Sequence, residues 1–259
     1  MSATAVARGT VPPALSFPAP GRPVPPPPPD GPLPAMHPDI AARLPRTEHA
    51  TRFWWVRHAR VPEVADRMYG SLDVDCETTD APRFEGVAAR LPKGAIWVTS
   101  PLKRTRQTAD ALIAAGAPEP RDWLEPEPDV AEMDFGDYNG LTHLELFAAR
   151  KEDPFLGFWP MSPHEQAPGG ESFTMLRDRV ARFMARTIEA HPAADVVVAA
   201  HRGPILAALQ IALELPLDTS VAFTVDNVSL TRLRHHGDAA HGGPRWRVDE
   251  VNWLPGSVA

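Results

Sequence analysis

The sequence predicts an α/β fold: a three-layer α/β/α sandwich around a mostly parallel central sheet. Two observations predict it. Three short runs, RFWWV at 52–56, AIWVTS at 95–100 and DVVVAAH at 195–201, are apolar on almost every consecutive residue. Strands covered on both faces read this way, whereas a strand with one wet face alternates. Longer segments of helical period separate these runs, and strand alternating with helix is the pattern of a parallel sheet with crossover helices.

In chain order, the proline-rich segment comes first. Fourteen of the 31 prolines precede residue 47, five of them at Pro25–Pro29. Such a segment lacks the donors and apolar surface to fold alone, so residues 1–48 are expected to be a disordered or polyproline-II tail that acts as a spacer. A folded domain is expected over 49–259. Its first strand is 52–56. After the second, Ser100 is placed to cap a helix with Pro101 at its first position. Phe173, Leu176, Val180, Phe183, Met184 and Ile188 recur every three or four residues, the stripe of an amphipathic helix. Pro204–Leu213 is a shorter, almost wholly apolar helix. SLTRL at 229–233 and RWRVDEVNW at 245–253 read as late strands joined by a turn rich in glycine and histidine.

Bulk properties exclude several classes. The net charge of -7 argues against nucleic acid or an anionic membrane as the main partner. The single cysteine, Cys76, rules out an intrachain disulfide and fits a reducing cytoplasm. No apolar run approaches the roughly 18 residues of a membrane span. The first 20 residues are broken by proline and arginine, unlike the continuous apolar region of a secretory signal.

The functional signal lies at the end of each apolar run. The first delivers Arg57 and His58, the second Ser100-Pro101 and then LKRTRQTA, the third His201 and Arg202. Ligands of open α/β sheets bind at the carboxyl ends of strands. One arginine at a strand end is ordinarily a solvated charge. Three such ends would form one cationic pocket on an acidic protein, and a phosphate monoester, with about two negative charges and three acceptor oxygens, matches it. Spacing alone leaves Lys103, Arg104 and Arg106 as equal candidates on the first turns of the second helix.

VRHA, TSPLKRTRQTA, AEMDFGDYNG and VVAAHRG, in this order, resemble the histidine phosphatase superfamily, which contains the cofactor-dependent phosphoglycerate mutases. The resemblance covers roughly residues 52–233 and leans to the phosphatase branch, especially the α-ribazole phosphatases. It implies that His58 is the nucleophile, that Arg57 and Arg104 bind phosphate, that His201 is the second active-site histidine, and that Glu132 rather than its neighbour Asp134 donates the proton. In the chemistry it implies, a neutral imidazole attacks phosphorus and holds it as phosphohistidine. The other ring N–H of His58 would be held by a backbone carbonyl. Arg57, Arg104 and a protonated His201 would stabilise the equatorial oxygens. Glu132 would protonate the leaving alkoxide and later take a proton from the hydrolytic water, and the phosphate's charge would raise its pKa. No metal ion or other cofactor is needed. The expected substrate is a small-molecule phosphate ester.

The chain also departs from the family pattern. Ala59 replaces the usual glycine after the nucleophile, Arg202 the usual glycine after the second histidine, and Val64 a frequent asparagine. Ser71, Arg202 and Ser172 are candidate substrate contacts, and Gly169–Ser172 is expected to cap the helix that begins near Phe173. Residues 131–190 are expected to form a helical cap over the pocket, and Phe155, Phe158 and Trp159 are read as ordinary packing before a lining for a ring-bearing substrate. Phosphoglycerate mutase-type transfer and a non-catalytic phospho-ligand binder remain alternatives. Other phosphate chemistries fit less well. Cys76 has Pro82 where a cysteine phosphatase needs arginine, and no strand precedes Asp73-Val74-Asp75. His235, His236, Asp238 and His241 are read as a solvated turn rather than a metal site.

Overall fold

The three apolar runs lie side by side in the computed structural model, which describes residues 50–150, 159–237 and 245–256. They form β1 (Thr51–Arg57), β2 (Ile96–Thr99) and β4 (Asp195–Ala200). A two-residue β3 (Asp122–Trp123) and a hairpin of β5 (Leu230–His235) and β6 (Trp246–Trp253) complete a six-stranded sheet in the order β3-β2-β4-β1-β5-β6. β5 alone runs antiparallel to both of its neighbours, so the sheet is mostly parallel, as expected.

Both faces are covered, which explains the unbroken apolar runs. Phe53, Trp55, Val196 and Val198 pack against α4 (Phe173–Ala190) and α5 (Arg202–Leu213). The alternate residues Trp54, Val56, Val197 and Ala199 pack against α1 (Ala81–Ala88) and α2 (Lys103–Ala114). Successive side chains of a strand point to opposite faces, so consecutive apolar residues serve two cores. Two small helices, α3 (His143–Ala149) and α6 (Leu217–Ser220), add Leu146 and Leu217 to the core on the α4–α5 face.

Several expectations change. α2 starts at Lys103 with Leu102 in the capping position, not at Pro101. Ser100 Oγ instead accepts the Leu102 N–H at 3.1 Å, turning the chain before the helix begins. The stretch 131–190 is not one cap. α4 within it forms one layer of the sandwich together with α5, and its Phe183 meets Phe53 and Trp55 edge-on at 6.3 and 6.1 Å. Its stripe is as read from the sequence, and Ser172 Oγ caps it by accepting the Met175 N–H at 3.2 Å. Trp159 is buried between Phe135 and Phe173. The proline-rich tail, Phe155, Phe158, Asp238 and His241 lie outside the described residues.

Candidate active site

Strand register assembles the site. Arg57 pairs with Ala200 and Thr99 with Ala199, so the next residues along each strand, His58, His201 and Ser100, leave the sheet along one edge. The His58 N–H donates to Ala200 O at 2.9 Å, and its carbonyl accepts from Asn227 Nδ2 at 2.8 Å. The neighbouring Ala59 is tied down as well, its N–H donating to Thr108 Oγ1 at 2.8 Å. The backbone of the candidate nucleophile is therefore fixed from three sides.

The ring of His58 is 1% exposed, and its Nδ1 lies 2.6 Å from the Ala59 carbonyl. A carbonyl only accepts, so Nδ1 carries the proton and Nε2 keeps its lone pair. Burial, then the charges of Arg57 and Arg104, hold its pKa well below the ordinary histidine value.

His201, wholly buried, lies 5.1 Å from His58 by ring centres. Its Nδ1 accepts from Arg104 Nε at 3.2 Å, so its Nε2 must carry the hydrogen that reaches Ser100 Oγ at 2.7 Å. Burial, Arg104 and His58 all push its pKa down. A guanidinium N–H on Nδ1 and the lowered pKa favour the neutral ring in the free site, whereas the protonated form is the one expected during transfer, with phosphate beside it.

Arg104 is the one cation of the Lys103, Arg104, Arg106 trio turned inward, and it is fully buried. Its Nη1 and Nη2 donate to Leu72 O at 2.6 Å and Gly70 O at 2.7 Å, fastening the loop before Cys76 over α2. Lys103 and Arg106 point outward and pair with Asp75 and Asp110. Arg57 Nη1 donates to Val225 O at 2.6 Å, while its Nε is buried without a partner.

A cavity of about 390 Å³ opens beside these groups. Arg57, Arg202, Arg60, Arg67 and Glu132 are among its walls, with Trp159, Phe135 and Met68 on its apolar side. His58 sits behind this surface, its ring edge-on to the wall residue Tyr69 at 6.1 Å. Arg202 lies over Trp159 at 5.2 Å, and burial together with nearby Arg57 lowers its pKa.

The two neighbouring carboxylates are separated by their surroundings. Glu132 borders the cavity, and its Oε1 accepts the Met133 and Gly203 N–H groups at 2.9 and 3.1 Å. Asp134 turns into its own loop, accepting from Gly136 N, Ser71 Oγ and Asn139 Nδ2 at 3.0, 2.9 and 2.6 Å. Burial alone would raise its pKa, but these bonds and the charge of Arg179 outweigh that and hold it down. The loop is tight because Gly136 has φ of 51°, and a Cβ there would collide with the Pro168 carbonyl.

Of the candidate substrate contacts, Arg202 lines the cavity and the other two do not. Ser71 is bound to Asp134 and Asn139, and Ser172 caps α4. The residues that sequence reasoning left without a role are the positioning ones: Thr108, Asn227, Gly203 and Arg179. Thr108 lies in the motif after β2, and Gly203 in VVAAHRG, so both were visible as motif members. Among the described residues no three His, Cys, Asp or Glu side chains are grouped as a metal ion would require. No described helix is long and apolar enough to cross a membrane.

Comparison with known proteins points the same way. The chain is 32% identical over 196 residues to a bifunctional protein of Mycobacterium tuberculosis, a match covering 73% of this chain and 52% of that one. It thus spans about half the length of that relative. It is 31% identical over 223 residues to glucosyl-3-phosphoglycerate phosphatase of Mycolicibacterium vanbaalenii, covering 78% of this chain and 94% of the relative. Adenosylcobalamin/α-ribazole phosphatase of Escherichia coli matches at 24% identity over 180 residues, 68% of this chain and 85% of that one. Among solved structures, a mycobacterial glucosyl-3-phosphoglycerate phosphatase superposes with a TM-score of 0.61 at 27% identity, over 78% of this chain and 99% of that chain. The model of the histidine phosphatase superfamily, branch 1, matches residues 53–248, from β1 into β6, and the chain belongs to that superfamily.

Proposed function

We propose that this protein is a phosphatase that hydrolyses small phosphate esters through a phosphohistidine on His58, without a metal ion. The observation that carries the reading is the His58 Nδ1 to Ala59 carbonyl contact of 2.6 Å, which leaves Nε2 as an unprotonated nucleophile beside a cation-lined cavity. The phosphatase names of the relatives favour hydrolysis over a mutase or a mere binder. The domain is taken as residues 49–259, with Glu132, Phe135, His143, Trp159 and Pro160 bordering the cavity.

In the proposed reaction His58 Nε2 attacks phosphorus, the N–P bond forms and the P–O bond to the alcohol breaks. Glu132, protonated at the outset, gives its proton to the departing oxygen. Water then attacks phosphorus as Glu132 takes its proton, and the N–P bond breaks to release phosphate. Arg57 and Arg202 face the phosphate from the cavity wall, and charge at such close range is worth about 4 kcal/mol per contact at an effective dielectric near 20. Arg104 and His201, bonded to each other beside His58, are read as the further phosphate-binding groups. Their hydrogen bonds fix the floor next to His58.

The test is hydrolysis of 4-nitrophenyl phosphate in EDTA by wild type and His58→Ala. Turnover by wild type alone, with acid-labile label on His58 after quenching, is the expected result. Equal turnover by both would remove His58 from the mechanism, and loss of wild-type turnover in EDTA would remove metal independence.

A further inference from the structure

We propose that Arg179, together with Glu171, is a positioning residue that sets where the Glu132 carboxyl stands and so controls proton delivery to the leaving group. This rests on the reading of Glu132 as proton donor. Arg179 projects from α4, and its side chain is only 10% exposed. Nε and Nη2 form a fork on Glu171, each bond 2.9 Å. The remaining hydrogens go to the backbone that carries Glu132. Nη1 donates to Asp129 O at 3.0 Å and Ala131 O at 2.7 Å, and Nη2 to Glu132 O at 3.0 Å. Glu171 Oε2 closes the circuit by accepting the Asp134 N–H at 3.1 Å.

One buried ion pair thus grips the chain before Glu132, at Glu132 and two residues after it. That stretch has no strand or helix of its own to hold it. It is a single 3-10 turn, Pro128–Val130, continuing into extended chain. A carboxyl that must meet a leaving oxygen within hydrogen-bond reach tolerates little displacement. Arginine is suited to this place because its planar group offers five fixed donors, and lysine offers a point charge that cannot reach a carboxylate fork and three carbonyls together.

The experiment compares kcat/KM for 4-nitrophenyl phosphate, whose leaving group departs without a proton, with that for phenyl phosphate, whose leaving group gains from one. The variants are Arg179→Met, Arg179→Lys and Glu171→Gln, with Glu132→Gln as reference. A lost proton donor penalises phenyl phosphate selectively. Arg179→Met is expected to lower kcat/KM for phenyl phosphate about tenfold or more and for the nitrophenyl ester about threefold or less, with Arg179→Lys in between. An equal fall on both esters, while Glu132→Gln stays selective, would make Arg179 merely structural and overturn the proposal. If Glu132→Gln itself shows no selectivity, the proton-donor reading falls and this inference with it. Should Arg179→Met fail to fold, by near-UV circular dichroism, Arg179→Lys and Glu171→Gln carry the same comparison.

Discussion

His58 and His201 are two buried imidazoles held neutral side by side, and this has a consequence for stability. In the unfolded chain each takes a proton near pH 6.5, whereas in the fold each does so only well below that. Between those limits the unfolded chain binds more protons, so stability falls as pH drops from about 6.5 toward the folded-state values. It is fully present above about pH 7. The slope can reach about 1.4 kcal/mol per pH unit for each histidine. Urea midpoints measured from pH 7.5 to 5 should therefore decline for wild type and decline less steeply for His201→Gln. Parallel curves would mean that His201 titrates normally in the fold. The same depressed pKa leaves His58 uncharged under mildly acidic conditions, as the proposed nucleophile must be, where an ordinary histidine would be charged.

At the scale of elements, the N-terminus of α5 is where fold and chemistry meet. Gly203 is the second residue of this helix, its N–H donates to Glu132 Oε1, and a Cβ placed on it would fall on that same oxygen. Gly203→Ala should gain up to about 1 kcal/mol of helix propensity, offset by the approach of its Cβ to Leu176 Cδ2 at 2.8 Å, while forcing the carboxyl away. The expected outcome is a fall in kcat/KM of roughly tenfold or more with a urea midpoint nearly unchanged. A variant as active as wild type would show that Glu132 has no fixed place in the reaction. The example also shows what the sequence could and could not reveal. β1, β2 and β4 were legible because strands buried on both faces are apolar throughout, and α4 because its stripe keeps one period over 18 residues. β3 has two residues, both exposed, and α1 carries only three buried ones, so neither leaves a pattern. Site residues at strand ends were legible because a charge after an apolar run is conspicuous. Glu132 was legible only through family resemblance. The grip of Arg179 on its backbone was not legible, since that arginine lies within a helix whose pattern reports packing, not the distant carbonyls it meets.

At the scale of the whole chain, an acidic molecule gathers a cluster of arginines at one edge of its sheet. Arg57, Arg104 and Arg202 gather at the carboxyl edge of the sheet, while Lys103, Arg106 and Arg186 pair with carboxylates at the surface. Every side chain assigned to the site lies between Arg57 and Asn227, and the family match begins at Phe53. The first strand starts at Thr51, whose ladder partner is His235, so the start of the domain is already paired within the sheet. None of this draws on residues 1–48. Deleting them is expected to leave kcat/KM for an aryl phosphate within about twofold and the urea midpoint unchanged, because truncation is tolerated where the retained backbone keeps its hydrogen bonds. The measurement is steady-state hydrolysis and urea unfolding of full-length protein and the chain beginning at residue 49, side by side. A loss of roughly tenfold in kcat/KM at equal stability would place part of the proline-rich segment at the cavity, making it part of the substrate site rather than a spacer. A lowered midpoint with intact kcat/KM would instead make it a brace on the folded domain.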